Sequence, residues 1–243
     1  MRAAEQTVVD YANGRLFVKS PRNWAPFGAG QMVVLTLLVP TGSALDGTSA
    51  MGHFHVEGEL GTTKLTTSMG NLRLGLTGEL RAKTSFGNVT VDRVAGDADI
   101  STSSGDIHLG EIAGAAVVRN SNGRTELGRV SGDVRAKSSN GSVLIGHAGG
   151  AVAVRTANGD VRVAEAERGE IVIETATGEL EVGIAPGVAA WLDVSTRFGS
   201  VRNDLDTIDV PDQAEGTVAV RARSSFGDIV IHRAAGHASR RAS

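Results

Sequence analysis

The chain predicts an all-β fold: a single-stranded parallel β-solenoid (β-helix) of about 18 residues per coil, with an N-terminal β cap. Glycine returns every 18 residues along most of the chain, at Gly70, Gly87, Gly105, Gly123, Gly141, Gly159 and Gly178. A second series, Gly61, Gly78, Gly96, Gly114, Gly132, Gly150 and Gly169, leads the first by 9 residues throughout. Between glycines, apolar and polar residues alternate, as in Val134-Arg135-Ala136-Lys137 and Val152-Ala153-Val154-Arg155. Alternation means a strand with one buried face, so each coil holds two short strands and two turns.

Residues 1–60 lack the period and read as an N-terminal β-strand cap. Its strand candidates are Arg15 to Lys19, the apolar run Met32 to Val39, and Phe54 to Val56. A solenoid needs such a cap, because its end coils expose unpaired edges. Residues 61–236 are the repeats, and 237–243 read as a disordered tail.

Stacking the repeats predicts inward columns. One reads Ile100, Val118, Ala136, Val154, Ile173, Val194, Val220; its neighbour reads Ala98, Ala116, Val134, Val152, Ile171, Leu192, Val218. The second strand contributes Val89, Ile107, Val143, Val161, Leu180, Val201, Ile229 and, two residues on, Val91, Leu109, Leu127, Ile145, Val163, Val182, Ile231. Aromatics are only 4% of the chain, so small and branched aliphatic residues must do the packing.

Asn-Gly between alternating segments is also a strong hairpin signal, so an antiparallel meander is the competing fold. A meander has no reason to repeat at 18 rather than 9. Here only whole units match: Asn122, Asn140 and Asn158 precede glycines of the first series, while Ala95, Ala113, Ser131 and Gly149 precede the second. A parallel stack sets like positions about 4.8 Å apart, where amides ladder at the turn. Gly105, Gly123, Gly141 and Gly159, with those asparagines, are therefore structural turn residues. Towards the C-terminus the spacing stretches to Gly199 and Gly227, with an acidic insertion around Asn203 to Gly216, and Met69, Phe86, Phe198 and Phe226 replace the asparagine as end closures or partner contacts.

Ser-Ser-Gly-Asp-Ile, Ser-Asn-Gly-Arg, Ala-Asn-Gly-Asp-Val and Ser-Phe-Gly-Asp-Ile, with the stretch Trp191 to Leu205 and Leu38-Val39-Pro40 before Thr41-Gly42, resemble the bacterial β-strand-repeat family that carries the label adhesin, a domain of unknown function. The resemblance covers about residues 5 to 234 and implies a β-solenoid, with no catalytic residues to carry over.

Composition narrows the function. The net charge of −3 gives no global basic field, so no nucleic-acid partner is predicted. With no cysteine, disulfides and thiolate chemistry are excluded. The start lacks a basic and apolar leader and no apolar run reaches the roughly 20 residues of a membrane-spanning helix. A cytoplasmic protein without a membrane span is therefore predicted, and an extracellular one if the native start lies upstream.

Chemistry is sparse. Calcium-binding nonapeptide rolls need Gly-Gly-x-Gly-x-Asp, whereas aspartate after glycine is sporadic here, at Asp106, Asp160 and Asp228. His53-x-His55 with Glu57 shares one strand side but has no further ligand nearby, so no metal is predicted. Thr102, Ser138, Thr156, Thr175 and Thr196 occupy turns rather than a nucleophile elbow. Trp24 and Trp191 read as cap packing. No enzyme and no cofactor are predicted. Arg119, Lys137 and Arg155, with Arg135 beside them, form one outward column, a candidate stripe for an anionic partner. The reading is a non-enzymatic binding or scaffold protein with a protein or glycan partner. The alternative is a self-assembling structural protein, a homo-oligomer stacking end to end in the manner of bactofilin filaments.

Overall fold

The computed structural model describes residues 6–20, 33–205 and 216–234. Two compact units divide at Pro40 and Thr41. In the first, β1 (Val8–Ala12) and β2 (Arg15–Lys19) form an antiparallel hairpin. Asn13 and Gly14 turn it with φ of 52° and 74°, the backbone that two-residue hairpins require. The strand expected over Met32–Val39 is absent: residues 33–39 form no strand, and Val34 and Leu38 are 82% and 96% exposed. Apolar side chains favour burial, but a strand also needs a partner for its backbone. Met32, Trp24, most of the acidic insertion and the tail lie outside the described residues.

The second unit is the parallel β-solenoid, with two strands per coil and no helix among the described residues. Its first coils are β3 (Leu45–Met51) with β4 (Phe54–Leu60), β5 (Thr63–Met69) with β6 (Leu72–Thr77), and β7 (Leu80–Phe86) with β8 (Val89–Val94). Then come β9 (Ala98–Ser104) with β10 (Ile107–Ile112), β11 (Ala116–Asn122) with β12 (Thr125–Val130), and β13 (Val134–Asn140) with β14 (Val143–Ala148). The series continues with β15 (Val152–Asn158) and β16 (Val161–Ala166), then β17 (Gly169–Thr177) and β18 (Leu180–Ile184). The last in sequence are β19 (Val188–Phe198) with β20 (Val201–Asp204), and β21 (Gly216–Phe226) with β22 (Ile229–Arg233). From β3 on, odd strands make one 10-stranded sheet and even strands another.

The ladders begin before residue 61. β3 pairs with β5, and β4 with β6, both parallel. Residues 45–60 are thus a coil rather than part of a separate cap, and Gly52 continues the first glycine series 18 residues before Gly70. At this end the Phe54 ring occupies the space that a side chain on Gly47 would need.

Most inward columns hold as expected. Val154 is fully buried and stands between Ala136 and Ile173. Among the described residues the largest fully buried side chains are all Leu and Ile, each worth about 1.5–3 kcal/mol of transfer free energy before entropy is charged. A further column, Val94, Ile112, Val130, Ala148 and Ala166, is also buried. In the even strands β8 to β16 the alternation breaks at the same place: Leu109 and Ile112, for example, are both buried although two residues lie between them, while neighbouring strands stay in register.

The C-terminal coils depart from sequence order. β21 pairs with both β17 and β19, and β22 with both β18 and β20. The last coil in sequence therefore lies inside, and the coil of β19 and β20 ends the stack. The column assignment changes accordingly. Val220 stands with Ile171 and Leu192, while Ala222 sits between Ile173 and Val194. Val201, expected inside, is exposed: β20 is the edge strand of its sheet and, among the described residues, has a neighbour on one side only.

Candidate anion-binding face

Charge is divided between the two solenoid sheets. The odd strands, β3 to β21, carry ten Lys or Arg against five Asp or Glu; the even strands, β4 to β22, carry six against eight. One face is thus cationic on a chain whose net charge is −3. The cations lie on the odd strands because their outward positions hold Lys64, Arg81, Lys83, Arg119, Arg135, Lys137, Arg155, Arg221 and Arg223, while alternate residues fill the core.

The predicted stripe is assembled by the register. Arg119 stands beside Lys137, and Lys137 beside Arg155. At a coil spacing of about 4.8 Å, neighbouring cations in water repel by about 1 kcal/mol before screening. The outer two have relief. Arg119 Nη1 bonds Asp99 Oδ1 at 2.8 Å, and Arg155 Nε pairs with Glu174 Oε2 at 3.0 Å. Both pairs are exposed and worth at most about 1 kcal/mol. Lys137, in the middle, forms no ion pair among the described residues. Nor does Arg135, whose register neighbours are Val117 and Ala153. A shallow groove of about 370 Å³ follows this stripe, lined by residues of β11, β13 and β15, including the three cations, Ser121 and Ser139.

Beside the groove runs the predicted asparagine ladder. Asn140 Nδ2 donates to Asn122 Oδ1, and Asn158 Nδ2 to Asn140 Oδ1, both at 3.0 Å. The ladder begins where Asn122 Nδ2 donates to the carbonyl of Ser103 at 3.2 Å. All three side chains are exposed. At the stack ends the same row holds Met51, Met69 and Phe86, and Phe226 with Phe198, all more than half exposed. Phe198 and Phe226 stack at 4.8 Å between ring centroids.

The predicted turn residues show why the glycines recur. Gly105, Gly123, Gly141 and Gly159 have φ of 145°, 130°, 134° and 150°, and a Cβ on each would drive into the carbonyl of the glycine one coil back. Thr102, Thr175 and Thr196 donate to such glycine carbonyls. The hydroxyls of Ser138 and Thr156 are buried with no hydrogen-bond partner.

A second ladder has only a sporadic signature in the sequence, Asn or Asp directly after some glycines of the first series. Where Asn or Asp follows a glycine of the first series, its side-chain oxygen accepts the backbone N–H of the next coil. Asn71 Oδ1 accepts from Asn88 N, Asn88 Oδ1 from Asp106 N, Asp106 Oδ1 from Arg124 N, and Asp160 Oδ1 from Glu179 N. The sporadic aspartates are therefore acceptors for backbone amides. His53 starts this ladder, its Nδ1 accepting from Asn71 N at 3.0 Å, while His55 pairs with Glu57. Asp228 Oδ1 accepts from Ser200 N at 2.7 Å. That backbone bond, with the Ser200 hydroxyl and the Arg202 charge, holds its carboxyl below the ordinary Asp range.

Other candidates do not converge. His147 contacts Glu165 and Glu167 through different ring nitrogens, each at 3.4 Å. Among the described residues no group of three His, Cys, Asp or Glu is placed to hold a metal ion, and no helix is long and apolar enough to cross a membrane. Trp191 corrects the packing expectation: it is 54% exposed, with the Arg221 guanidinium 5.9 Å from its ring centroid.

Residues 12–237 match the family model described as Toastrack DUF4097, a domain of unknown function, and the chain belongs to that family. The match gives the adhesin label no support. No curated protein and no solved structure matches the chain.

Proposed function

We propose that this Toastrack-family chain is a non-enzymatic binding scaffold that presents the cationic sheet of its solenoid to an anionic partner. The segregation of charge between the sheets carries the reading. Ten cations against five carboxylates on one face concentrate a positive field that the net charge conceals. Among the described residues Lys137 and Arg135 have no ion pair to give up, so an incoming anion meets them without competing with a carboxylate.

Head-to-tail assembly of copies is less well supported. Continuing the odd-strand register from one copy's end to the next copy's start would set Asp193 against Asp46, like charges about 4.8 Å apart.

The test is retention on a carboxymethyl matrix at pH 7.5, above the sequence pI of about 6.1. The chain binds this anionic matrix at low salt despite its net negative charge. Arg135→Glu/Lys137→Glu elutes earlier, and Arg73→Glu on the other sheet does not. Flow-through of the unaltered chain refutes the binding face. Turnover that survives purification and vanishes on one side-chain substitution refutes the non-enzymatic assignment.

A further inference from the structure

We infer that the occupant of the groove along Arg119, Lys137 and Arg155 is a linear acidic polysaccharide lying along the stack axis. This rests on the cationic-face reading and narrows it to one class of partner.

The groove is a one-dimensional lattice. Each of three successive coils supplies one cation, and beside the first two cations stand the hydroxyls of Ser121 and Ser139. At the groove edge each ladder asparagine spends one amide N–H on the neighbouring coil. An amide has two donors, so a second N–H remains on each exposed side chain. The lattice therefore offers positive charge, hydroxyls and neutral amide donors, repeated at about 4.8 Å. A pyranose ring linked head to tail advances its chain by close to one coil height. A polymer of uronic acid rings carries carboxylates, hydroxyls and ring oxygens at intervals that this lattice can follow without bending.

Other anionic polymers fit less well. Duplex DNA carries one charge per about 1.7 Å of axis, far denser than one cation per coil, two of which already have carboxylate partners. Single strands bind by stacking bases on aromatic side chains, and the groove has none among its lining residues. A bilayer surface calls for apolar side chains beside the basic ones. On this row the large exposed apolar residues stand at the ends of the stack, away from the three cations.

The experiment is calorimetric titration of the full chain with polygalacturonate, neutral dextran, inorganic polyphosphate, a single-stranded oligonucleotide and vesicles containing phosphatidylglycerol. Polygalacturonate binds with an affinity that falls as salt rises, and dextran does not bind. Lys137→Glu weakens the polygalacturonate complex by about tenfold or more, the loss of one charge-assisted contact. Asn140→Ala weakens it several-fold while leaving retention on the carboxymethyl matrix unchanged, because the amide reads sugar rather than charge. Far-ultraviolet circular dichroism confirms that both variants keep the fold, and Ser139→Ala, which leaves the ladder intact, gives a second, smaller loss. Binding of polyphosphate, oligonucleotide or vesicles as tight as that of polygalacturonate overturns the polysaccharide while the cationic face stands. Indifference of polygalacturonate binding to Asn140→Ala and Ser139→Ala together does the same. Failure of every polyanion, together with flow-through on the matrix, overturns both.

Discussion

Replacing Gly141 by alanine should cost more than any exposed charge in this protein. Gly141 sits at φ 134°, where L side chains rarely go, and its added Cβ would press into the carbonyl of Gly123 one coil back. The backbone strain is worth about 1–3 kcal/mol. Forcing two packed backbones apart adds about 1–3 kcal/mol more. The turn cannot shift cheaply, because Gly141 N donates to Asn158 O at 2.9 Å while Gly123 N donates to Asn140 O at 3.1 Å. The sum, about 2–6 kcal/mol, should lower the melting temperature by on the order of 10 °C for a domain of this size. Thermal unfolding followed by circular dichroism reads it. Gly96→Ala is the internal control: it belongs to the other glycine series, its φ is not in the left-handed region, and its Cβ would meet nothing nearer than 3.4 Å. It should be neutral or stabilising by up to about 1 kcal/mol. If Gly141→Ala and Gly96→Ala melt together with the unaltered chain, the close stacking of the first-series turns is wrong.

Val154→Asp should destabilise by several kcal/mol, since it buries a carboxylate between Ala136 and Ile173, whereas Arg155→Ala, which loses only an exposed ion pair, should cost less than about 1 kcal/mol in the same melts; the reverse order would invert the strand phase. The coil order at the C-terminus is tested by cysteine pairs in a chain that has no native cysteine. Val172→Cys/Arg221→Cys, on adjacent strands, should oxidise readily, and Val172→Cys/Asp193→Cys, two strands apart at about 10 Å, should not; efficient crosslinking of the second pair alone would restore sequence order. Because the Asp228 carboxyl is lowered, its stabilising effect is complete above the ordinary Asp value and is lost as pH falls through the lowered one. Asp228→Asn keeps an acceptor for Ser200 but cannot titrate, so the two proteins should differ at neutral pH and converge in acid; a difference in stability that is constant with pH would remove the charge from the account.

The alternating pattern and the paired glycine series were enough to read the parallel solenoid, the inward columns of the central coils, the turn asparagines and the basic stripe. These depend on local rules: a strand alternates with period 2, and a turn that must adopt positive φ against a neighbouring backbone selects glycine. What the pattern cannot carry is which coil lies beside which. β17 offers Ile171 and Ile173 to a neighbour, and both β19 and β21 bring apolar residues of the right spacing. Like coils are interchangeable by pattern, and only the packed ensemble chooses. Burial can also run against the strand period: Ile112, Val130 and Ala148 lie three residues after a buried neighbour, out of phase with a period of 2, and are buried all the same. The apolar run at 33–39 reads as a strand by composition, but a strand exists only where another backbone completes its hydrogen bonds. The candidate site shows the same division. That Arg119, Lys137 and Arg155 share a column follows from an 18-residue period alone; that Lys137 is left without a carboxylate, between neighbours drawn to Asp99 and Glu174, is decided by side chains meeting across coils.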